Sequence, residues 1–183
     1  MGKTFAKLYL KIFSWDYNDF PDVDKAVVTM APHTSMRDFI LGKIYFASQG
    51  RKPTVLIKKE AFFWPFGYIL KKMGGIPVHR GRKTGLTEQS IEFFKEERER
   101  FYLIITPEGT RKKTKNWKKG CIRIAKAANV PIIIGFLDCK NRKMGVKGLL
   151  DLEGNEMQVM ERLKKEYKGL QGIHKDKFET GYE

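Results

Sequence analysis

Cysteine is scarce. Cys121 and Cys139 alone, in 183 residues, are too few for a disulfide framework, and neither belongs to a C-x-x-C or a His/Cys cluster with metal-ligand spacing. The chain is therefore expected to work in a reducing compartment, with no metal and no cofactor. Long apolar runs are missing too: none approaches the ~18 residues that indicate a membrane span. The N-terminus lacks the apolar region and small-residue cleavage site of a secretory signal, so the expectation is a protein that stays in the cytoplasm. Gly2 is present, but Ala6 stands where a myristoylation signal wants Ser or Thr, which argues against a lipid anchor. No G-x-S-x-G motif supplies a serine nucleophile. Repeats, low-complexity linkers and a second-domain boundary are absent as well, and the length suits one domain with a true core.

Acidic residues are the other shortage. Thirty-six Lys and Arg stand against twenty-one Asp and Glu, a formal net charge of +15. An anionic partner follows: nucleic acid, an acidic lipid surface, an acidic carrier protein or a phosphorylated small molecule. Charge alone does not choose among them.

The first fifteen residues, MGKTFAKLYLKIFSW, place Phe5, Leu8, Tyr9, Ile12 and Phe13 at helical spacing, with Lys3, Lys7 and Lys11 elsewhere on the wheel. This is a basic amphipathic helix. Residues 1–20 are read as an amphipathic segment for an anionic membrane surface; docking on its own domain is the plainer alternative. Beyond it, the runs KAVVTM, PTVLI, IPVH, FYLIIT and VPIIIGFL read as strands. Between and after them, helical patterns run from Ser35 to Ala47, Thr87 to Arg98, Lys119 to Ala128 and Asn155 to Tyr167. Strand and helix alternation predicts a single α/β domain with a central mixed sheet flanked by helices, preceded by the short N-terminal helix.

Polar motifs follow three of these strands. In APHTSMRDF, His33 precedes Asp38 by five residues. On one continuous helix they would stand roughly 140° apart and never meet. Pro32 disfavours helix at Ala31, and Ser35 with Asp38 fits a capping box that starts the helix near Met36. His33 is then on a loop that can fold back toward Asp38. A carboxylate bonded to one imidazole nitrogen would leave the other free to take a proton from a hydroxyl. Taken alone, the pair is better explained by a capping aspartate and a loop histidine. In GGIPVHRGRK, Arg80, Arg82 and Lys83 follow a short strand, an arrangement suited to gripping a phosphate. In IITPEGTRKKTKNWKKG, a Pro-Glu-Gly turn presents Glu108, Thr110 and Arg111 beside many lysines. The aromatic segment EAFFWPFGYILKKMG suits either core packing or the wall of an apolar groove.

In order and spacing these blocks resemble the glycerolipid acyltransferase family typified by 1-acyl-glycerol-3-phosphate O-acyltransferase (PlsC-like). Its H-x-x-x-x-D pair corresponds to His33 and Asp38. A G-x-I-x-V-x-R-like segment corresponds to GGIPVHR at 74–80, x-P-E-G-T-R to TPEGTR at 106–111, and a later V-P-I strand to VPIIIG at 130–135. The resemblance implies an acyltransferase domain over 21–183. It also implies acyl transfer from an acyl-CoA or acyl-carrier-protein thioester to a lysophosphatidate-like hydroxyl in phospholipid biosynthesis. In that scheme His33 is the base and Asp38 orients it, Arg80 and Arg111 hold the acceptor phosphate, and Glu108, Gly109 and Thr110 shape the substrate site. No cofactor or metal is implied. The enzyme would lie peripherally on the inner face of the cell membrane. The sequence departs from the family pattern at Pro32, where many relatives carry Asn, and at Thr106, where Phe is common. These positions bear on the acceptor, leaving an amino-acid-containing lyso-lipid open. Two other readings are a nucleic-acid-binding module, which lacks any recognisable motif, and a non-catalytic basic membrane-surface adaptor, which leaves His33, Asp38 and PEGTR unexplained.

Overall fold

The computed structural model describes residues 2–78 and 85–182. Its helices are α1 (Lys3–Ile12), α2 (Met36–Ser48), α3 (Phe66–Lys72), α4 (Leu86–Lys95), α5 (Gly120–Ala128) and α6 (Glu156–Glu166). Its strands are β1 (Asp16–Tyr17), β2 (Lys25–Ala31), β3 (Pro53–Lys58), β4 (Gly75–Val78), β5 (Phe101–Ile105), β6 (Ile132–Asp138) and β7 (Lys143–Leu150). One sheet in the order β1-β7-β6-β2-β5-β3-β4 joins them. β2, β3, β4, β5 and β6 run parallel, while β7 turns back antiparallel to β6 and pairs in parallel with β1. The sheet is therefore mixed, as the alternation of elements predicts.

Burial on both sides explains the continuous apolar character of the central strands. Along β2, Val27 and Ala31 face a cluster with Leu103, Ile132 and α5 residues Cys121 and Ile124. Ala26 and Val28 face the other way, toward Tyr102, Ile133 and α2 residues Ile44 and Tyr45. Helices α4, α5 and α6 thus cover one face. On the opposite face α1 packs beside α2, burying Ala6 and Leu10. The N-terminal helix docks on the domain through those two residues and still leaves Phe5, Leu8, Ile12 and Phe13 exposed.

Helix starts follow local chemistry. Ser35 caps α2, its hydroxyl accepting from the amides of Arg37 and Asp38, and the Asp38 carboxylate returns to the Ser35 amide at 2.7 Å. Asn155 and Gln158 make the same reciprocal box at α6. β7, by contrast, is not predicted by its apolar spacing, because KMGVKGLL carries two glycines and two lysines. Gly145 at φ 148° is required there: a Cβ would stand 1.9 Å from Asn18 Oδ1. Asn18 uses its amide to extend the β1 ladder, donating to the Val146 carbonyl at 2.6 Å and accepting from its N–H at 2.9 Å. The helix α3 is likewise not predicted, and the aromatic segment around it divides: Ala61 and Leu70 line a cavity, while Phe63, Trp64 and Phe66 are exposed rather than core or groove wall.

Candidate active site

The parallel strands β2 and β5 lie side by side, with Thr29 opposite Ile105, so their C-terminal ends open onto one edge. From there the chain departs to opposite faces, α2 to one and α5 to the other. Such a switch point leaves a crevice beyond the strand ends. The loop after β2 carries His33, and the loop after β5 carries the Pro-Glu-Gly turn.

In the first loop the Asp38 carboxylate, buried at the start of α2, gathers donors from its own turn. Oδ2 accepts from the Thr34 amide, from the Thr34 hydroxyl at 3.0 Å and from the Ser35 amide at 2.7 Å, and Oδ1 accepts from the Ser35 hydroxyl at 3.2 Å. The capping box thus occupies this carboxylate, and among the described residues no hydrogen bond joins it to the His33 imidazole. Asp38 acts on His33 through its field instead. Burial pushes the His33 pKa below its ordinary value, Asp38 partly restores it, and the nearby Arg111 guanidinium lowers it again. At neutral pH the imidazole is therefore an unprotonated base, with no hydrogen-bond partner among the described residues.

The second loop reaches the first from below. Gly109, at φ +66°, closes the turn by donating its N–H to the Thr106 carbonyl at 3.0 Å. This directs Glu108, 2% exposed, inward. Glu108 Oε1 accepts from the His33 backbone N–H at 2.8 Å, so the acid holds the loop that carries the base. Burial pushes its carboxyl up to about 8, and the Asp38 charge adds to that rise against the lowering by the His33 N–H. Glu108, expected to shape the substrate site, does not itself line the cavity: it lies beneath the loops, largely protonated at pH 7, on the His33 backbone.

His33, Asp38, Gly109, Thr110 and Arg111 line one cavity of about 990 Å³. Part of its lining is apolar, with Leu56, Ile57, Ile105, Ile124 and Leu137, and the exposed Lys58 and Lys118 add cations to that of Arg111. Arg111 is exposed and makes no ion pair with any described residue. Arg80, proposed to share the acceptor phosphate with Arg111, lies outside the described residues. Cys121 also lines the cavity, but burial pushes its thiol up to about 12, which removes it as a nucleophile at neutral pH.

Two contributors escape a sequence reading. Lys43 of α2 lines the cavity while donating to the Met73 carbonyl at 2.5 Å, yet it reads as an ordinary helical lysine. Residues 171–180 clasp both loops. The His174 amide donates to the Thr34 hydroxyl at 3.1 Å, and a Cβ at Gly172 would meet Thr34 Cγ2 at 2.6 Å. Trp117, at the end of the second loop, donates from Nε1 to the Glu179 carbonyl at 3.2 Å and packs on Phe178. Only a lone tryptophan among so many lysines hints at this in the sequence.

A base facing a cavity with an apolar wall and a cationic rim suits a group-transfer enzyme. The family model described as Acyltransferase matches residues 16–134, and the chain belongs to that family: it is an acyltransferase. Its fold is similar to the crystal structure of the 1-acyl-sn-glycerophosphate (LPA) acyltransferase PlsC from Thermotoga maritima, with a TM-score of 0.60 and 17% identity over 93% of this chain and 79% of that one. No curated protein matches the sequence.

Proposed function

We propose that this enzyme moves a fatty acyl group from an acyl-CoA or acyl-carrier-protein thioester to the hydroxyl of a lysophosphatidate-like acceptor. The observation that carries the reading is the shared cavity: an unprotonated His33, a guanidinium at Arg111 and an apolar wall large enough for a hydrocarbon chain face the same space. The substrate named for the Thermotoga maritima enzyme supports the same acceptor class.

His33 takes the proton from the acceptor hydroxyl as its oxygen attacks the thioester carbonyl. The new C–O bond forms, the C–S bond breaks, and the imidazolium returns its proton to the departing thiolate. A thioester is already activated, so positioning the two substrates supplies much of the acceleration. Asp38 fixes the loop geometry and favours the imidazolium through its charge. Arg111, with Arg80, grips the acceptor phosphate through charge-assisted hydrogen bonds, while Glu108, Gly109 and Thr110 shape the loop around it. The amphipathic face of α1 keeps the enzyme at the inner surface of the cell membrane.

The test is a screen of lyso-acceptors against acyl-CoA and acyl-carrier protein, reading thiol release and product mass. Ester product with a phosphorylated lyso-acceptor is expected. Thiol release only with an amino-acid-containing lyso-lipid, or none with any acceptor, overturns the assignment.

A further inference from the structure

The two faces of the sheet differ in what they show to solvent. On the α4, α5 and α6 side and at the far sheet edge, Leu86, Met157 and Leu149 are the exposed large apolar residues among those described. The others sit on α1, α2 and α3. α1 shows Phe5, Leu8, Ile12 and Phe13, α2 shows Met36 and Ile40, and the segment around α3 shows Phe63, Trp64, Phe66, Tyr68 and Ile69. These helices share one face. α1 and α2 pack in the same core cluster, and the crossovers β2-α2-β3 and β3-α3-β4 step across the sheet in the same direction, so right-handed connection puts both on one side. The bond from Lys43 to the Met73 carbonyl ties α2 to the end of α3.

Cations frame this surface. Lys58, Lys59, Lys71 and Lys72 are exposed at the two ends of the aromatic segment, and Lys72 Nζ lies 4.6 Å from the centre of the Tyr68 ring. Trp64 is 89% exposed, an unusual position for the side chain that most favours an apolar environment with a polar edge. The cavity reaches the same surface, because Met36, Ala61 and Leu70 line it while flanking the exposed side chains.

We infer that the segment from Phe63 to Ile69, with Met36 and Ile40, is a second membrane-contact surface besides α1, one that seats the mouth of the cavity on an anionic bilayer. The inference rests on the reading of the acceptor as a lipid. Aromatic side chains in the interface with lysines reaching acidic headgroups is the composition that such a surface recognises. A second copy of the chain is disfavoured as occupant, since a symmetric pair would bring the same lysines together. With the mouth against the bilayer, a lyso-lipid can reach His33 by lateral entry, without exposing its hydrocarbon to water.

The experiment uses the full chain and vesicles of phosphatidylcholine with or without phosphatidylglycerol. A Trp15→Phe variant leaves Trp64 as the exposed indole beside the buried Trp117; its emission should shift to the blue on the phosphatidylglycerol vesicles and be quenched by brominated lipid. The double variant Trp64→Glu/Phe66→Glu should partition at least about tenfold more weakly. A Leu8→Glu/Ile12→Glu variant should weaken binding independently, so that combining the two sets adds. Turnover of a short-chain acceptor in solution should be unchanged in Trp64→Glu/Phe66→Glu, while turnover of acceptor embedded in vesicles falls. Unmoved Trp64 emission or unchanged partition of the double variant overturns the inference. So does a lipid-free dimer that this variant abolishes, or loss of acyl-carrier-protein binding with vesicle partition intact. The partition results stand even if no acyl transfer is found, so the failure of the surface and the failure of the assigned reaction are separable.

Discussion

The two loops that meet at His33 are built in opposite ways. After β2, short hydrogen bonds occupy nearly every polar group: Asp38 gathers Thr34 and Ser35, Glu108 holds the His33 amide, and the cap starts α2 within two residues of the base. Past the Gly109 turn, the second loop leaves Arg111, Lys112 and Lys113 exposed at the cavity rim and beyond it. A base must be held in one place because proton transfer is steep in distance and angle. An anion-binding cation tolerates movement, since charge attracts over several ångströms. Under the proposed mechanism, rigidity would sit where a proton is moved, and reach where a substrate is gathered.

The sharpest way to break this contrast is to remove the base. His33→Ala should cut acyl transfer by roughly 10²- to 10⁴-fold with the fold retained, measured by thiol release; full turnover in the folded variant would mean that the first loop is scaffold only. Arg111→Ala should cost less, about 10- to 150-fold in acceptor kcat/KM if one charge-assisted bond is lost, with donor saturation little changed. Lysine at this position should restore part of that loss, because it keeps the charge without the two-pronged grip. Equal losses on phosphorylated and dephosphorylated acceptors would take Arg111 away from the phosphate.

Asp38→Asn asks whether the charge or the capping geometry matters. One amide oxygen can still accept from Thr34 and Ser35, so helix α2 should persist, and the loss of turnover should be smaller than for His33→Ala. Without the Asp38 charge the His33 pKa should fall further, moving the acid limb of the pH–rate profile to lower pH; an unmoved limb would deny the coupling.

Glu108 gives a stability signature. Its carboxyl is raised from 4.5 to about 8 in the native state. Native protein therefore keeps a proton that the unfolded chain has released, and stability from this group is present below pH 4.5 and lost as pH rises toward 8. The decline should be on the order of a few kcal/mol and flatter in Glu108→Gln, followed by denaturant unfolding. His33, with a lowered pKa, works in the other direction: its contribution is lost as pH falls below the ordinary histidine range. Smallest of all, Thr34→Val should cost about 1 kcal/mol, because it removes the hydroxyl shared by Asp38 and His174.

What the sequence reveals of these loops divides along the same line. The start of α2 is legible because Ser35 and Asp38 are three residues apart and a capping box is local chemistry. That both loops lie at the ends of strands is legible from the apolar runs before them. The bond from His33 to Glu108 spans 75 positions, and no local pattern announces it. The capping box also hides something: the same carboxylate that marks the helix start is saturated by it, so the expected imidazole bond gives way to a through-space effect. β7 stays hidden in part because Gly145 answers to Asn18, far away in the chain. Segment 62–69 is ambiguous for another reason, since composition does not tell an apolar residue facing a core from one facing outward.

Residues 171–180 hold Thr34, next to His33, and Trp117 at the end of the Arg111 loop, so the chain secures its site with a segment that follows the described strands. The bond from His174 to Thr34 closes across 140 positions. A ribosome that has already delivered the base, the guanidinium and all seven strands has not yet delivered their clasp. The two loops of the site are thereby tied to a segment translated after the sheet, and a chain cut short before residue 171 would lose both the His174 bond to Thr34 and the Glu179 bond to Trp117.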